Sequence, residues 1–156
     1  MSAVDFSQAT FSPLPMTGEQ LFTPAQLQEG WVVLYFYPRD ATPACTTEGL
    51  DFNAAVEAFS ALGVKIYGVS RDTLASHQRF KEKQDFAFDL VSDTEEVLCQ
   101  LFGVIKEKMM YGRKVMGIER STFILHNGMV QKAWRKVKVK THVAEVLEAI
   151  KALQAE

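Results

Sequence analysis

Hydrophobic positions along this chain alternate between two kinds of pattern. Trp31 to Tyr37 (WVVLYFY) is an unbroken apolar, β-branched and aromatic run, which is the pattern of a central strand buried on both faces. From Pro43 to Leu62 the spacing changes, with Phe52, Ala55, Val56, Phe59 and Leu62 forming one helical stripe and Gly63 standing as its stop signal. Val64 to Val69 predicts a second buried strand, Thr73 to Gln84 a polar helix carrying Leu74 and Phe80, and Phe88 to Val91 a short strand. Glu95 to Phe102 predicts a helix with Val97, Leu98, Leu101 and Phe102 inward, ending at Gly103. Lys106 to Gly117 carries two glycines and reads as mostly loop or edge hairpin. Ser121 to Leu125 and Met129 to Trp134 flank His126-Asn127-Gly128, and Asn-Gly between apolar runs is a strong hairpin signal. Val143, Val146, Leu147 and Ile150 mark a last helix from Thr141 to Leu153. The first 25 residues, rich in Pro, Ser and Thr, read as an irregular or hairpin-forming lead-in. Crossovers followed by an antiparallel hairpin predict an α/β protein with a mixed central sheet and helices on both faces.

Length and charge narrow the picture without changing it. The 156 residues fit one domain spanning the chain, long enough to bury a core. A net charge of -2 gives no reason to expect nucleic acid or an anionic membrane as a partner. The locally basic KAWRKVKVK (Lys132 to Lys140) alternates with Val137 and Val139, as in a strand with one solvated face. No apolar run approaches the roughly 20 residues of a membrane span. The start, MSAVDFSQATF, lacks the basic and apolar segments of a signal peptide, so the expected location is the cytoplasm. Two cysteines are too few for a disulfide framework, and in a reducing compartment a lone thiol points to catalysis or plain packing.

The chemistry concentrates at Pro38, Thr42 and Cys45, on a strand-to-helix junction. Thr42 suits an N-cap and Pro43 the first helical position, which puts Cys45 at the third. A helix N-terminus offers unpaired N–H groups and about half a positive charge, so a cysteine there ionises more readily, and the thiolate is the reactive form. An ordinary thiol is only about 3% thiolate at neutral pH. Burial works against ionisation, so a fixed cation is expected nearby, and the candidate is Arg120 in GIERSTFIL, just before a strand. Glu48, one turn after Cys45, is placed to fix the first turn or a nearby arginine. Other chemistries find little support. There is no pair of cysteines two residues apart, no zinc spacing and no phosphate loop. His77 and His142 fall on predicted surface helices and His126 in the hairpin turn, so all three read as surface or packing residues. Met109, Met110 and Met116 read as gap-filling or loop contacts. No cofactor and no metal are expected.

The segment YFYPRDATPACTTEG resembles the active-site segment of the peroxiredoxins, of the peroxiredoxin Q or bacterioferritin comigratory protein type. The stretches VSRDTLASHQRFKEKQ, FDLVSDTEEVL, YGRKVMGIERSTFIL and WRKVKVKTHVAEVLEAI extend that likeness over nearly the whole chain from Gly18 onward. The resemblance implies a thioredoxin-like fold with an N-terminal extension. It implies an antioxidant peroxidase that reduces hydrogen peroxide and organic hydroperoxides with thiol reductants. By position it implies Cys45 as the peroxidatic cysteine, Thr42 and Arg120 as the groups holding the peroxide, and Pro38 as a shield.

The chain departs from that pattern in its second thiol. Relatives of this type often carry a resolving cysteine five residues after the first, where this chain has Leu50, or in the following helix, where it has Lys81. Its only other cysteine is Cys99. On a helix turning about 100° per residue, Cys99 falls beside the stripe of Val97, Leu98, Leu101 and Phe102, where partial exposure is expected. Three routes stay open for the Cys45 sulfenic acid. These are an external thiol (thioredoxin, glutaredoxin or a small thiol), Cys99 as an intrachain resolving thiol, and resolution across a dimer. The chain is expected to be a monomer or weak dimer. A peroxide sensor or holdase on the same fold is the non-enzyme alternative.

Overall fold

The apolar run at Trp31 becomes β1 (Trp31–Phe36), the middle strand of a five-stranded sheet. The structure is a computed structural model that describes residues 5–156; the first four residues of the expected lead-in, including the start of the segment read for an export signal, lie outside the described residues. A short helix α1 (Pro24–Gln28) precedes β1. After β1 come α2 (Pro43–Ala54), α3 (Val56–Ala61) and β2 (Val64–Ser70), then α4 (Leu74–Gln84) and β3 (Asp89–Ser92). The second half runs through α5 (Val97–Leu101), β4 (Ile105–Met110), β5 (Arg113–Ile118), β6 (Ser121–His126), β7 (Met129–Arg135) and α6 (His142–Gln154). The sheet order is β3-β2-β1-β6-β7, with β4 and β5 forming a separate two-stranded sheet. β1 and β2, and β2 and β3, pair in parallel, while β1–β6 and β6–β7 are antiparallel. This is the expected mixed sheet, and the fold is thioredoxin-like.

Side chains of β1 alternate between two cores, which is why the strand is apolar throughout. Val32, Leu34 and Phe36 enter one core with Phe6, Met16, Phe22, Leu98, Cys99 and Phe123. Val33 and Tyr35 enter the other with Cys45, Phe52, Phe59, Phe80, Val143 and Ile150. The N-terminal segment therefore closes one face of the sheet; isolated bridges Met16–Val91 and Asp5–Met129 tie it to β3 and β7, and Leu14–Phe22 closes it on itself.

Several expectations change in detail. The single helix over 43–62 is two helices broken at Ala55, whose N–H turns back to Phe52 O at 3.1 Å. Asn53 sets this break in place, donating to Asp85 O and accepting from Ala87 N, so the end of α2 is tied to the α4–β3 connection. The apolar stripe continues across the break, with Phe52 and Phe59 both fully buried. Lys106 to Gly117 is a regular hairpin, turning at Tyr111 and Gly112 with φ of 53° and 75°. Its methionines fill no gap: Met109, Met110 and Met116 stand exposed. The basic stretch holds a strand only to Arg135, and Lys136, with φ 51°, ends it.

Cys99 is fully buried rather than partly exposed. The helix that carries it is only five residues long, wedged under the sheet, and capped by the Asp93 carboxylate, which accepts from Val97 N and Cys99 N at 2.8 Å. The buried side of this helix is Leu98, Cys99 and Phe102, whereas Leu101, expected inward, is exposed, so the buried arc is turned toward Cys99. His77 and His142, expected on surface helices, are buried too.

Gly49 marks the closest approach between α2 and the α4–β3 connection. A Cβ there would lie 2.5 Å from Phe86 Cζ. Phe86 is held by stacking on Phe88 and by an edge contact with Phe80, so it has little room to yield. Gly49→Ala is expected to lower the unfolding free energy by about 1–2 kcal/mol, because overpacking outweighs the gain in helix propensity. The urea midpoint of Gly49→Ala against wild type checks this, and an unchanged or raised midpoint would contradict it.

Candidate active site

Strand register brings the site together. Phe36 of β1 faces Ser121 of β6, so the loop leaving β1 emerges beside Arg120, which enters β6. That loop runs from the half-buried Pro38 to Thr42, and α2 starts at Pro43. Thr42 is the N-cap residue with extended backbone (φ -78°, ψ 156°), and Cys45 takes the third helical position, 2% exposed. Arg120 Nη2 donates to Cys45 Sγ at 3.4 Å, and Nη1 donates to Glu48 Oε1 at 2.7 Å. Of the four site residues expected from the sequence (Pro38, Thr42, Cys45 and Arg120), Arg120 and Cys45 are thus in direct contact. Glu48 takes the arginine-fixing option.

Thr42 departs from the capping expectation. Its hydroxyl donates back to Arg39 O at 3.0 Å and makes no hydrogen bond to a first-turn N–H of α2. The physical reason is the turn that precedes it: Ala41 has φ 63°, which folds the chain so that the Arg39 carbonyl lies within reach of the hydroxyl. The first-turn amides therefore keep their capacity to bind an oxygen ligand. Pro38 sits at the rim of this turn.

A buried polar network beneath the loop was not anticipated. Asp40 accepts from Tyr37 Oη at 2.7 Å and from Ser76 Oγ at 2.8 Å, and its Oδ2 lies 2.7 Å from His77 Nδ1. His77 Nε2 donates to Val91 O at 2.9 Å, and Asp40 N donates to Asp72 Oδ2 at 2.8 Å. The network ties the loop to α4 and β3. The signal available in the sequence was spacing: His77 lies three residues after Leu74 and three before Phe80, on the apolar side of α4. Nothing comparable marked Asp40. Asp40, Asp72 and His77 also bring metal-ligating atoms within 4.8 Å of one another. Those atoms already bond each other and Ser70, Ser76 and the Asp40 amide, which makes the cluster a hydrogen-bond anchor.

Electrostatics add two further groups. Lys108 on β4 donates to Ile118 O at 2.7 Å. Its ammonium is pushed below its ordinary range, first by burial and then by the charges of Arg120 and Arg71, which places a second cation near the thiol. His142 Nε2 lies 2.8 Å from Thr122 Oγ1. Burial pushes its imidazole down to about 4, so it is neutral near pH 7. Arg120 is raised above its ordinary range: burial opposes its charge, but the charges of Glu48 and Cys45 outweigh that and hold the guanidinium ionised.

The second thiol lies elsewhere. Cys99 belongs to the core on the opposite face of the sheet from Cys45. Burial, then the Asp93 carboxylate, pushes its thiol far above the ordinary range. Lys81, at the place where the resemblance leads one to expect a resolving cysteine, donates to Asp89 Oδ1 at 2.6 Å.

A thiol at a helix N-terminus against a fixed guanidinium, on a thioredoxin-like sheet, defines a class, and comparison with known proteins agrees. The chain belongs to the AhpC/TSA family, whose pattern matches residues 3–133, and is a thiol-dependent peroxidase by class. It is 54% identical over 153 residues to Peroxiredoxin Bcp of Xanthomonas campestris, covering 97% of this chain and 96% of that one. It is 50% identical over 122 residues to Peroxiredoxin Bcp of Bacillus subtilis, 78% of each chain. A solved structure addressing the alkyl peroxide reduction activity of the Xanthomonas campestris bacterioferritin comigratory protein superposes with a TM-score of 0.85 at 56% identity, covering 90% of both chains. A cysteine-to-serine variant of Xylella fastidiosa PrxQ gives 0.86 at 47% identity, covering 93% of this chain and 90% of that one. Within its family the chain is of the Bcp, or peroxiredoxin Q, type.

Glu48 generates a pH prediction. Its carboxyl is raised from the ordinary 4.5 to about 7, first by burial, with Arg120 resisting through charge and hydrogen bond. Between those values the folded state keeps a proton that the unfolded chain has lost. The associated stability is present in full below the unfolded value and is lost as pH rises through about 7. Glu48→Gln does not titrate. Wild type should therefore lose stability relative to Glu48→Gln between pH 5 and 8, by the order of 1–3 kcal/mol. Parallel stability curves from denaturant unfolding across that range would contradict the shift.

Proposed function

We propose that Cys45 is the nucleophile that reduces hydrogen peroxide and organic hydroperoxides, and that an external thiol restores it. The observation that carries this reading is the Arg120 Nη2 to Cys45 Sγ contact of 3.4 Å at the uncapped first turn of α2. The Cys45 thiolate attacks one peroxide oxygen, a sulfur–oxygen bond forms and the oxygen–oxygen bond breaks. The sulfur is oxidised to sulfenic acid, and the departing alkoxide or hydroxide takes up a proton to leave as alcohol or water. Arg120 and the first-turn amides stabilise the charge moving onto the leaving oxygen. Thr42 orients the peroxide through its hydroxyl, and Pro38 shields the sulfur from water.

The position of Cys99 supports reduction by an external thiol. A disulfide needs its Cα atoms within about 7 Å, and the two sulfurs lie in cores on opposite faces of the sheet. Cys99 would also attack as a thiol held neutral by burial. Two free thiols suit a reducing compartment, which supports a cytoplasmic location, and no helix among the described residues is long and apolar enough to cross a membrane.

Two experiments test this. After one equivalent of peroxide, intact mass spectrometry with a sulfenic-acid trap should find the adduct on Cys45 in wild type and Cys99→Ser alike. A Cys45–Cys99 disulfide in wild type would replace the external-thiol route with the intrachain one. In stopped-flow oxidation, Arg120→Ala is expected to slow the reaction about 100-fold or more. Arg120→Lys should recover only part of it, because an ammonium cannot fork between sulfur and carboxylate. Thr42→Val should slow the reaction more than Thr42→Ser. Slow oxidation with no turnover in any thiol donor would assign the protein to the sensor alternative.

A further inference from the structure

If an outside thiol reduces Cys45, its carrier must dock beside the site, and one surface there has the form of a docking face. Among the described residues, four of the eight exposed large apolar side chains sit on the β4–β5 hairpin: Met109, Met110, Tyr111 and Met116, with Tyr111 at 98% exposure. The hairpin lies outside the main sheet. Between residues 105 and 118 it carries four cations against one acid, in a chain whose net charge is -2. Lys106, Arg113 and Lys114 are exposed.

Register places this surface at the site. Cross-strand partners share a face, and the Lys108–Val115 pair is the half-buried one. Lys108 reaches back to Ile118 O, two residues before Arg120, and lies within the field of Cys45. The same face continues outward through the next like-facing pair, Met110 and Arg113. Lys108, then Met110 beside Arg113, thus lead away from the thiol along this face, while Met109, Lys114 and Met116 lie on the other. Exposed methionines adapt to varied partner surfaces, and rim charges steer encounter.

We propose that the β4–β5 hairpin docks an acidic protein thiol, a small dithiol protein of net negative surface, and so delivers the reductant to Cys45. The proposal rests on the external-thiol reading above. A second copy is a poor occupant: a two-fold interface would set this patch against itself, cation on cation. The chemistry balances. One partner thiol displaces hydroxide from the Cys45 sulfenic acid, forming a mixed disulfide and, with its proton, water. The partner's second thiol then attacks that disulfide and releases Cys45 as thiol. The partner leaves oxidised by two electrons, as its own disulfide.

The test compares wild type with a Lys106→Glu/Arg113→Glu variant and with Met110→Ser/Tyr111→Ser. Three rates are read: oxidation of Cys45 by hydrogen peroxide, reduction of oxidised protein by dithiothreitol, and reduction by a thioredoxin of net negative charge. Both variants should keep the first two rates within about twofold, since fold and thiol are untouched. With thioredoxin the charge variant should fall tenfold or more in kcat/KM, and its rate should lose the salt dependence of wild type. Equal thioredoxin rates in the charge variant and wild type overturn the docking proposal alone, as does a parallel loss with dithiothreitol. A wild-type dimer that the charge variant dissociates also overturns it, by assigning the hairpin to a second copy. Wild type that peroxide does not oxidise overturns the peroxidase reading and the proposal together.

Discussion

Arg120 has one guanidinium and two claims upon it, and the candidate site is organised by how they are met. Glu48 Oε1 accepts from Nη1 and Cys45 Sγ from Nη2. A planar fork answers both at once, and no other cationic side chain has that geometry. Holding the fork still requires a buried carboxyl partner, and Glu48 is fully buried with Oε2 left without a hydrogen-bond partner. Such an orphan atom costs about 1–3 kcal/mol. The structure tolerates that cost at the one place where a fixed cation can meet the sulfur. Everything else, from the β1–β6 register to the start of α2, serves to bring these three side chains to one point.

The Asp40–His77 network solves a different part of the same problem. A loop that must present Thr42, Pro43 and Cys45 with little regular structure of its own needs an anchor. Ala41 sits at positive φ, a conformation that costs a non-glycine residue and persists only where its surroundings enforce it. Asp40 enforces it through Tyr37 of the strand end, Ser76 and His77 of α4, and the Asp72 carboxylate. His77 passes the constraint on to β3 through Val91 O. The first turn of α2 is thereby set by three neighbouring elements, although none of them touches the sulfur.

Legibility in the sequence followed the range of the interactions involved. Strands were readable where burial on both faces left a continuous apolar run, as at Trp31 and Val64. The β6–β7 hairpin was readable because Asn127 and Gly128 take positive φ and only a few residue types do so readily. Cys45 was readable because the helix start around it is a local feature. Arg120 was readable as a cation rigidly placed before a strand. Long-range features were not readable. The break at Ala55 depends on Asn53 reaching Asp85 and Ala87, more than 30 residues away. The burial of His142 depends on Thr122 of β6. Cys99 departs from the predicted arc because the Asp93 carboxylate, accepting from Val97 N and Cys99 N, sets the short α5 so that Cys99 is enclosed with Leu98 and Phe102 while Leu101 faces water.

That enclosure also bears on how the cycle divides. The alternation of β1 sends Val33 and Tyr35 to the Cys45 side and Leu34 and Phe36 to the Cys99 side, so the sheet itself stands between the two thiols. Joining them would require α5 to leave a core in which Leu98 and Cys99 are fully buried, and Asp93 to give up two backbone hydrogen bonds. Exposing Cys45 to an outside thiol asks for less. It sits in the first turn of α2, beside the exposed Pro43 and Ala44, and helix ends open at the low end of the local stability scale. An α4 tied by Lys81 to Asp89 supplies no thiol of its own. The sequence of smallest structural changes therefore leads outward from Cys45 toward solvent, past the basic, methionine-bearing hairpin that stands beside it.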